Sequence, residues 1–509
     1  MTPLRRTVIA PIALGPFPPT ALGLRKWLRQ ARLALAIGGM GALAFAADAR
    51  GAETAAETLV RQGRIEEGIQ AAAEQAVLKP NDLDAHELYI DLLLNTGFVD
   101  QARATYAKRV QLNPLDANAH YLLGRATVDA RSARAAYEKA LRIDPAHARS
   151  HMGMGAVYTA LSNPSEAEAA YGRAVSMAPH LVEAWMGRIR ARLGAEDLAG
   201  AIQRAEEGLA AVPNDPSLTY TLVTFDPNRS AALLPQAIAA TPDDAPLREA
   251  WAAHLLASGQ NDEALEAARA ALAIDPTREE AQLVAWTADE LATGRLDRGT
   301  ATQLQGARQQ RDLAALDAVV AKAPTSVLAH LARANAREAK GVDGVLADLE
   351  KAHTLDPTHP DACAAYGKAL LVAGRGADAL SPLSCAAARR EWDVPLLIAL
   401  AQAEVSGGEA AVGVPRLHAL AESRPTDVVV IGAYAQALVD TGQAEKAYNL
   451  VKRTMARVPD PRLAAAFVMV SVAAGHREEA ASFLESLAAQ SGSDALRQKA
   501  AALRAGGSP

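Results

Sequence analysis

Aromatic side chains are scarce in this chain, at 4% of residues, although hydrophobic residues make up 50% of the composition. Alanine accounts for much of that apolar content. It is the best helix former, and its small side chain lets helices approach closely. A chain of 509 residues is too long for one compact core. We therefore expect an all-α protein made of several domains or of repeats.

The body of the chain also lacks an excess of positive charge. The formal net charge is −6, and residues 1–46 contain six cations but no Asp or Glu, so the remaining residues carry −12. Nucleic-acid binding needs a basic surface that neutralises phosphates. The charge distribution predicts no nucleic-acid partner.

The apolar run near the N-terminus is too short for a membrane span, which needs about 20 residues. This run, LALAIGGMGALAFAA from Leu33 to Ala47, has 15 residues and follows four cations between Arg25 and Arg32. Small residues at Ala44-Phe45-Ala46 fit a signal-peptidase site. We predict that residues 1–46 are a signal peptide and that the protein is periplasmic. The alternative is an uncleaved inner-membrane anchor with the protein facing the periplasm.

Common catalytic signatures are missing: there is no H-E-x-x-H, no G-x-S-x-G, no P-loop and no cluster of Cys and His. His86, His120 and His151 occupy equivalent places in three consecutive sequence units. Packed helices lie about 8–10 Å apart, whereas zinc ligands lie at about 2 Å from the ion. These histidines therefore cannot share a metal, and we predict that they pack between helices. We expect no enzymatic activity, no cofactor and no metal.

Prolines that end helical stretches recur with a dominant spacing of 34 residues. They lie at positions 80, 114, 145, 179, 213, 242, 276, 324, 357, 425 and 459. Proline suits a helix boundary because it cannot continue a helix interior. Self-similarity with this period indicates a solenoid of helical hairpins.

Small and aromatic residues recur within each unit at helical spacing. In one unit, Gly155 lies on the first helix, and Ala167, Tyr171 and Ala174 lie on one face of the second. This pattern resembles the tetratricopeptide repeat (TPR) family over roughly residues 53–495. The resemblance implies an α-solenoid of about thirteen hairpins in a right-handed superhelix, whose first helices line the concave groove.

Departures from the period suggest two blocks. The 48-residue step between Pro276 and Pro324 contains about 14 additional residues. We predict an N-terminal array over residues 53–292, an irregular joint or insertion over 293–311, and a C-terminal array with a capping helix over 312–505. The unit that ends at Pro242 contains FDPNRS and Pro235, which predict a stunted or kinked second helix.

The TPR register assigns candidate partner-binding positions to the groove. In the first block they are Asp91, Asn95, Tyr121, Arg125, Met152, Met186 and Arg190; in the second they are Arg333, Arg337, Lys368, Gln402 and Gln436. Three of these residues, Arg333, Arg337 and Lys368, are cations on one wall. They either hold an anionic peptide or glycan, or are solvated and paired with nearby carboxylates.

These observations favour a non-catalytic protein–protein interaction scaffold of the bacterial cell envelope, with envelope or secretion proteins as partners. By analogy of fold, bacterial polysaccharide-export scaffolds carry similar arrays. The alternative is an accessory subunit that binds an anionic glycan or peptide for polysaccharide synthesis or secretion.

The only two cysteines, Cys363 and Cys385, fall in the first and second helix of one unit. An exported protein would favour a disulfide between them. Two buried thiols are the alternative, because free cysteines are common in helical cores. The sequence leaves both states open.

Overall fold

The structure is a computed structural model that describes residues 54–61, 64–457, 460 and 462–506. The predicted signal peptide or anchor, residues 1–46, lies outside this range. Across the described residues the chain forms 28 α-helices and one short 3₁₀ turn, without any strand. Among these helices, none is sufficiently long and apolar to cross a membrane.

The chain divides into two compact units, one running through Asp289 and the other beginning at Glu290. Seven hairpins form the first unit: α1 Ala55–Arg61 and α2 Ile65–Leu78, α3 Leu83–Asn95 and α4 Val99–Leu112, α5 Ala117–Arg125 and α6 Ala130–Ile143, α7 Ala148–Ala160 and α8 Pro164–Met177, α9 Val182–Gly194 and α10 Leu198–Ala211, α11 Pro216–Phe225 and α12 Ser230–Ala240, α13 Ala245–Ser258 and α14 Asn261–Ile274. The unit boundary falls within α15 Glu279–Ala292.

The second unit continues with α16 Arg298–Gln310 and α17 Leu313–Lys322. Five hairpins and a final helix follow: α18 Val327–Lys340 and α19 Val345–Leu355, α20 Pro360–Val372 and α21 Gly376–Ala387, α22 Val394–Ser406 and α23 Ala410–Ser423, α24 Val428–Asp440 and α25 Ala444–Arg457, α26 Arg462–Ala473 and α27 Arg477–Ser491, and α28 Asp494–Arg504. The predicted joint, residues 293–311, thus contains the separate helix α16.

Aspartate side chains begin many of the first helices. Asp82, Asp116 and Asp244 accept hydrogen bonds from backbone N–H groups in the first turns of α3, α5 and α13. Such N-caps satisfy donors that have no partner within the helix. Two hairpins use histidine instead, because Nδ1 of His147 and of His359 accepts the same bond in α7 and α20.

A donor side chain in each of several first helices lies close to the carbonyl oxygen of the proline six residues earlier. His120, His151 and His330 donate from Nε2 to Pro114, Pro145 and Pro324 at 3.0, 3.0 and 3.2 Å. Trp185 and Gln282 make the corresponding bonds to Pro179 and Pro276. The carbonyl oxygen at each turn thereby gains a hydrogen-bond partner.

The histidines with equivalent positions, His86, His120 and His151, follow this pattern. His86 is buried, and its Nε2 lies 3.1 Å from the carbonyl oxygen of Pro80. Its Nδ1 lies 3.0 Å from the hydroxyl oxygen of Tyr106 on the second helix. Each histidine therefore contacts its own turn, and His86 also packs between the two helices of its hairpin, as predicted.

Close helix contacts occur where the sequence pattern placed small residues. Ala167, Ala174 and Tyr171 are buried on one face of α8. A Cβ atom added at Gly155 would lie 2.7 Å from the ring of Tyr171. The absence of a side chain at Gly155 therefore lets α7 pack directly on the tyrosine of α8.

The irregular units also agree with the sequence. Helix α12 has 11 residues with Pro235 inside, and the 3₁₀ turn Pro227–Arg229 precedes it. The structure thus confirms the predicted all-α solenoid of helical hairpins, with a three-helix segment between Pro276 and Pro324. The right-handed superhelix and the three domain boundaries stay predictions.

Candidate partner-binding face

The first helices of successive hairpins contact one another within each unit. Helix α3 contacts α5 in the first unit, and α22 contacts both α20 and α24 in the second. Second helices pack mainly on their own first helix and on the first helix of the next hairpin. The layer of first helices is the more closely spaced one, so it forms the inner side of each unit. All twelve predicted groove residues lie in this layer.

Charged residues of the first unit form a closed cluster on α3, α5 and α7, which we call the charged cluster. Its members are Asp84, Glu87, Asp91, Tyr121, Arg125 and Arg149. The hydroxyl of Tyr121 donates to Glu87 Oε1 at 2.6 Å. Arg149 donates to the same oxygen at 2.5 Å and to Asp84 at 2.6 Å.

The pair Arg125 and Asp91 completes this cluster. Arg125 Nη2 lies 2.6 Å from Asp91 Oδ1, and the two side chains are only 14% and 10% exposed. Burial is the largest single influence and would lower the pKa of Arg125, but Asp91 together with Tyr121 and Glu87 outweighs it and raises the pKa. Burial also raises the pKa of Tyr121, and the neighbouring Glu87 acts in the same direction. Both groups thus keep their protons, and the Tyr121 hydroxyl and Arg125 Nη2 each bond to a carboxylate of the chain itself, whereas Arg125 Nε is buried without a hydrogen-bond partner among the described residues.

The other candidates of the first unit differ in exposure. Asn95 is exposed at the end of α3. Met152 and Met186 are half-buried against the core that surrounds Trp185. Arg190 is half-buried on α9. Of these four residues, only Asn95 is open to solvent.

Two of the three cations predicted on one wall of the second unit are already paired. Arg333 donates from Nε to Oδ2 and from Nη2 to Oδ1 of Asp348, and Arg337 donates from Nη1 to the same Oδ2 at 2.8 Å. Asp348 is 3% exposed. Arg333 also lies 3.1 Å from Asp317. This geometry matches the alternative in which both arginines are paired with nearby carboxylates rather than available to an anionic ligand.

The remaining candidates form a line of exposed side chains, which we call the polar row: Lys368, Gln402 and Gln436. They lie 34 residues apart on α20, α22 and α24, and all three are exposed. Gln436 bonds to Asp440 one turn later on its own helix, at 2.7 Å. Among the described contacts, Lys368 and Gln402 have neither an ion pair nor a side-chain hydrogen bond. Nearby Gly432, also on α24, has open space where a side chain would lie.

The sequence analysis did not identify four residues that surround the predicted groove side chains: Glu87, Arg149, Asp317 and Asp348. One signal was available for the first unit, because Tyr121 follows Glu87, and Arg125 follows Asp91, by the repeat period of 34 residues. Complementary side chains one period apart lie on neighbouring first helices. Asp348 lies on the second helix α19, outside the register that defined the groove.

Both cysteines lie in the hairpin of α20 and α21. Their Sγ atoms are 2.7 Å apart, and both residues are free thiols in this structure. Cys363 is buried and Cys385 half-buried. Both sulfurs contact the carbonyl oxygen of Pro357, at 3.1 and 3.3 Å. The two thiols are thus neighbours, and the disulfide stays a prediction.

No protein-family model matches the sequence, and the comparison with curated proteins finds no match either. The chain is similar to several solved helical structures. One is the APC/C hetero-tetramer Cut9–Hcn1, at 14% identity and a TM-score of 0.32, covering 88% of each chain. Another is a tetratricopeptide repeat protein from Parabacteroides merdae, at 16% identity and a TM-score of 0.31, covering 50% of this chain and 95% of that one.

A third is TTC0263, a TPR protein from Thermus thermophilus, at 20% identity and a TM-score of 0.28, covering 33% of this chain and 94% of that one. The helical-hairpin architecture of this protein rests on its own helix pairs and their 34-residue spacing.

Proposed function

We propose that this protein is a non-catalytic scaffold of the bacterial cell envelope, and that the inner face of its second unit holds a partner protein. The observation that carries this proposal is the polar row. Three equivalent side chains are exposed on three consecutive first helices, whereas the comparable side chains of the charged cluster bond to one another.

The chemistry of the polar row suits an extended protein segment. Neighbouring helices are about 8–10 Å apart, and an extended chain rises about 3.3 Å per residue. One helix therefore meets roughly every third residue of such a segment. The amides of Gln402 and Gln436 donate and accept, so they match backbone groups irrespective of sequence. Lys368 adds a cation that favours a carboxylate at one end.

The envelope location rests on the N-terminal sequence: four cations, then 15 apolar residues, then small residues. Export would place the partner among envelope or secretion proteins. The alternative ligand, an anionic glycan or peptide, depends on three clustered cations. Arg333 and Arg337 already share Asp348, so a protein segment is the better match to the exposed side chains.

In-cell crosslinking of the tagged full-length protein tests this proposal. We expect envelope or secretion components to be captured from the envelope fraction, and the variant Lys368→Ala/Gln402→Ala/Gln436→Ala to lose them. A matched control replaces exposed residues on the second helices of the same hairpins: Ser384→Ala, Glu422→Ala and Asn449→Ala. Capture of cytoplasmic proteins alone would contradict the envelope role, and equal capture by both triple variants would contradict the polar row.

A further inference from the structure

The hairpin formed by α20 and α21 differs from its neighbours at the turn that precedes it. Elsewhere a nitrogen donor, such as that of His330, bonds to the proline carbonyl six residues earlier. Here the thiol of Cys363 makes that contact at 3.1 Å, and Cys385 on the second helix reaches the same oxygen at 3.3 Å. The shared acceptor brings the two Sγ atoms to 2.7 Å from each other.

The two thiols have unequal access to solvent. Cys363 is fully buried, whereas Cys385 is half-buried and faces Arg389 at the surface. A soluble disulfide therefore reaches Cys385 first in the folded protein. Burial raises the pKa of the Cys363 thiol, which keeps it protonated until a base accepts its proton.

A base for this step lies next to Cys363. Nδ1 of His353 is 3.6 Å from its Sγ. Burial lowers the pKa of His353, although the nearby Asp356 opposes that shift, so the imidazole is neutral near pH 7. A neutral imidazole has an unprotonated nitrogen that can accept a proton.

We propose that Cys363 and Cys385 form a redox-active dithiol site that exchanges with an external disulfide, with Cys385 as the entry thiol and Cys363 as the resolving thiol. The sulfur of Cys385 attacks the external disulfide, forms a mixed disulfide and releases one thiolate, which takes up the proton of Cys385. The sulfur of Cys363 then attacks Sγ of Cys385 and passes its proton to His353. The second external thiolate leaves and takes that proton.

Two thiols of the protein are thereby oxidised to one disulfide, and one external disulfide is reduced to two thiols. The new bond joins α20 to α21 within one hairpin. It restricts the helix that carries Lys368, the first residue of the polar row. We expect amide hydrogen exchange in these two helices to slow by about tenfold or more on oxidation.

Oxidised glutathione is the probe for the test, applied to the folded full chain, with acid quenching and mass spectrometry. The wild type should lose two hydrogens and retain no titratable thiol. Cys363→Ser should accumulate one glutathione on Cys385, whereas Cys385→Ser should remain unmodified. A second variant, Cys363→His, introduces the residue type that the preceding hairpin has at this position, His330. It should also trap the mixed disulfide.

Early quenching of the wild type supplies a readout that does not depend on any substitution. A transient glutathione adduct should be found on the peptide that contains Cys385. Two titratable thiols after exposure to oxidised glutathione would overturn the proposal. Glutathione uptake by Cys385→Ser but not by Cys363→Ser would overturn the assigned order of the two cysteines.

Discussion

The first helices α3 and α5 of the first unit and α20 and α22 of the second unit carry their polar side chains in opposite ways. In the first unit, Arg125 pairs with Asp91 across neighbouring hairpins, and Tyr121 bonds to Glu87. In the second unit, Lys368 and Gln402 are exposed at equivalent positions of their helices. The same 34-residue repeat thus supports internal cohesion in one region and an available surface in the other. Equivalent positions in a repeat protein therefore need not share a role.

Removal of a buried cation should have the largest effect. Arg125→Met leaves the Asp91 carboxylate buried beside an apolar side chain, and we expect a loss of about 3–5 kcal/mol in the free energy of unfolding of the first unit. Adding Asp91→Asn should recover most of that loss. Urea denaturation with probes in the first unit measures both variants. If both variants unfold at the wild-type midpoint, the pair does not hold the hairpins together.

Variants of a similar cluster in the second unit distinguish an effect on stability from an effect on partner binding. Arg333→Gln/Arg337→Gln removes the cations that face buried Asp348, and we expect a cost of about 3 kcal/mol. Adding Asp348→Asn should restore most of the stability, and the triple variant should still capture the partner. Loss of capture by a stably folded triple variant would favour the anionic-ligand alternative.

Two glycines on first helices offer a smaller, matched contrast. Gly155→Ala places a Cβ atom 2.7 Å from the ring of Tyr171 and should destabilise the protein by about 1–3 kcal/mol. Gly432→Ala adds its Cβ atom where nothing lies within 4 Å, and the higher helix propensity of alanine should make it neutral or stabilising by up to about 1 kcal/mol. Thermal unfolding of both variants checks this ranking of their stabilities. A Gly155→Ala variant as stable as Gly432→Ala would contradict it.

The histidine N-caps should give each unit a small pH dependence. Burial lowers the pKa of His147 and of His359, although nearby carboxylates oppose the shift. The unfolded chain therefore binds more protons below about pH 6.5, so stability is complete above that pH and falls as the pH decreases toward the folded pKa values. Protonation also removes the Nδ1 acceptor from each cap.

Aspartate caps most other first helices, so substitution of each histidine by aspartate tests this effect. His147→Asp and His359→Asp should each gain about 1 kcal/mol at pH 5.5 relative to the wild type, and little at pH 7.5. Urea midpoints at the two pH values give the difference. An equal gain at both values would show that histidine protonation does not matter to the caps.

The sequence predicted the fold more fully than the site. Prolines at a 34-residue spacing, together with Gly155 and Tyr171, report contacts between helices that are close in sequence. These contacts repeat, so a single chain reveals them. The 14 additional residues before Pro324 were visible as an insertion, but their folding into a separate helix, α16, depends on packing that the period does not encode.

The site was harder to predict because position on a helix does not determine whether a side chain is available. The TPR register placed Arg333 and Lys368 on one wall. Asp348 on the neighbouring second helix neutralises Arg333, and the described contacts provide no such carboxylate for Lys368. Availability therefore depends on partners that the first-helix register leaves out.

The most direct test of the central claim compares one exposed amide in each unit. A photoreactive amino acid at Gln402 and, separately, at Asn95 reports which first helices contact the partner in living cells. The account predicts a crosslinked partner from position 402 and none from position 95, at equal expression of the two proteins. Crosslinking from position 95 but not from position 402 would place the partner on the first unit and contradict the account.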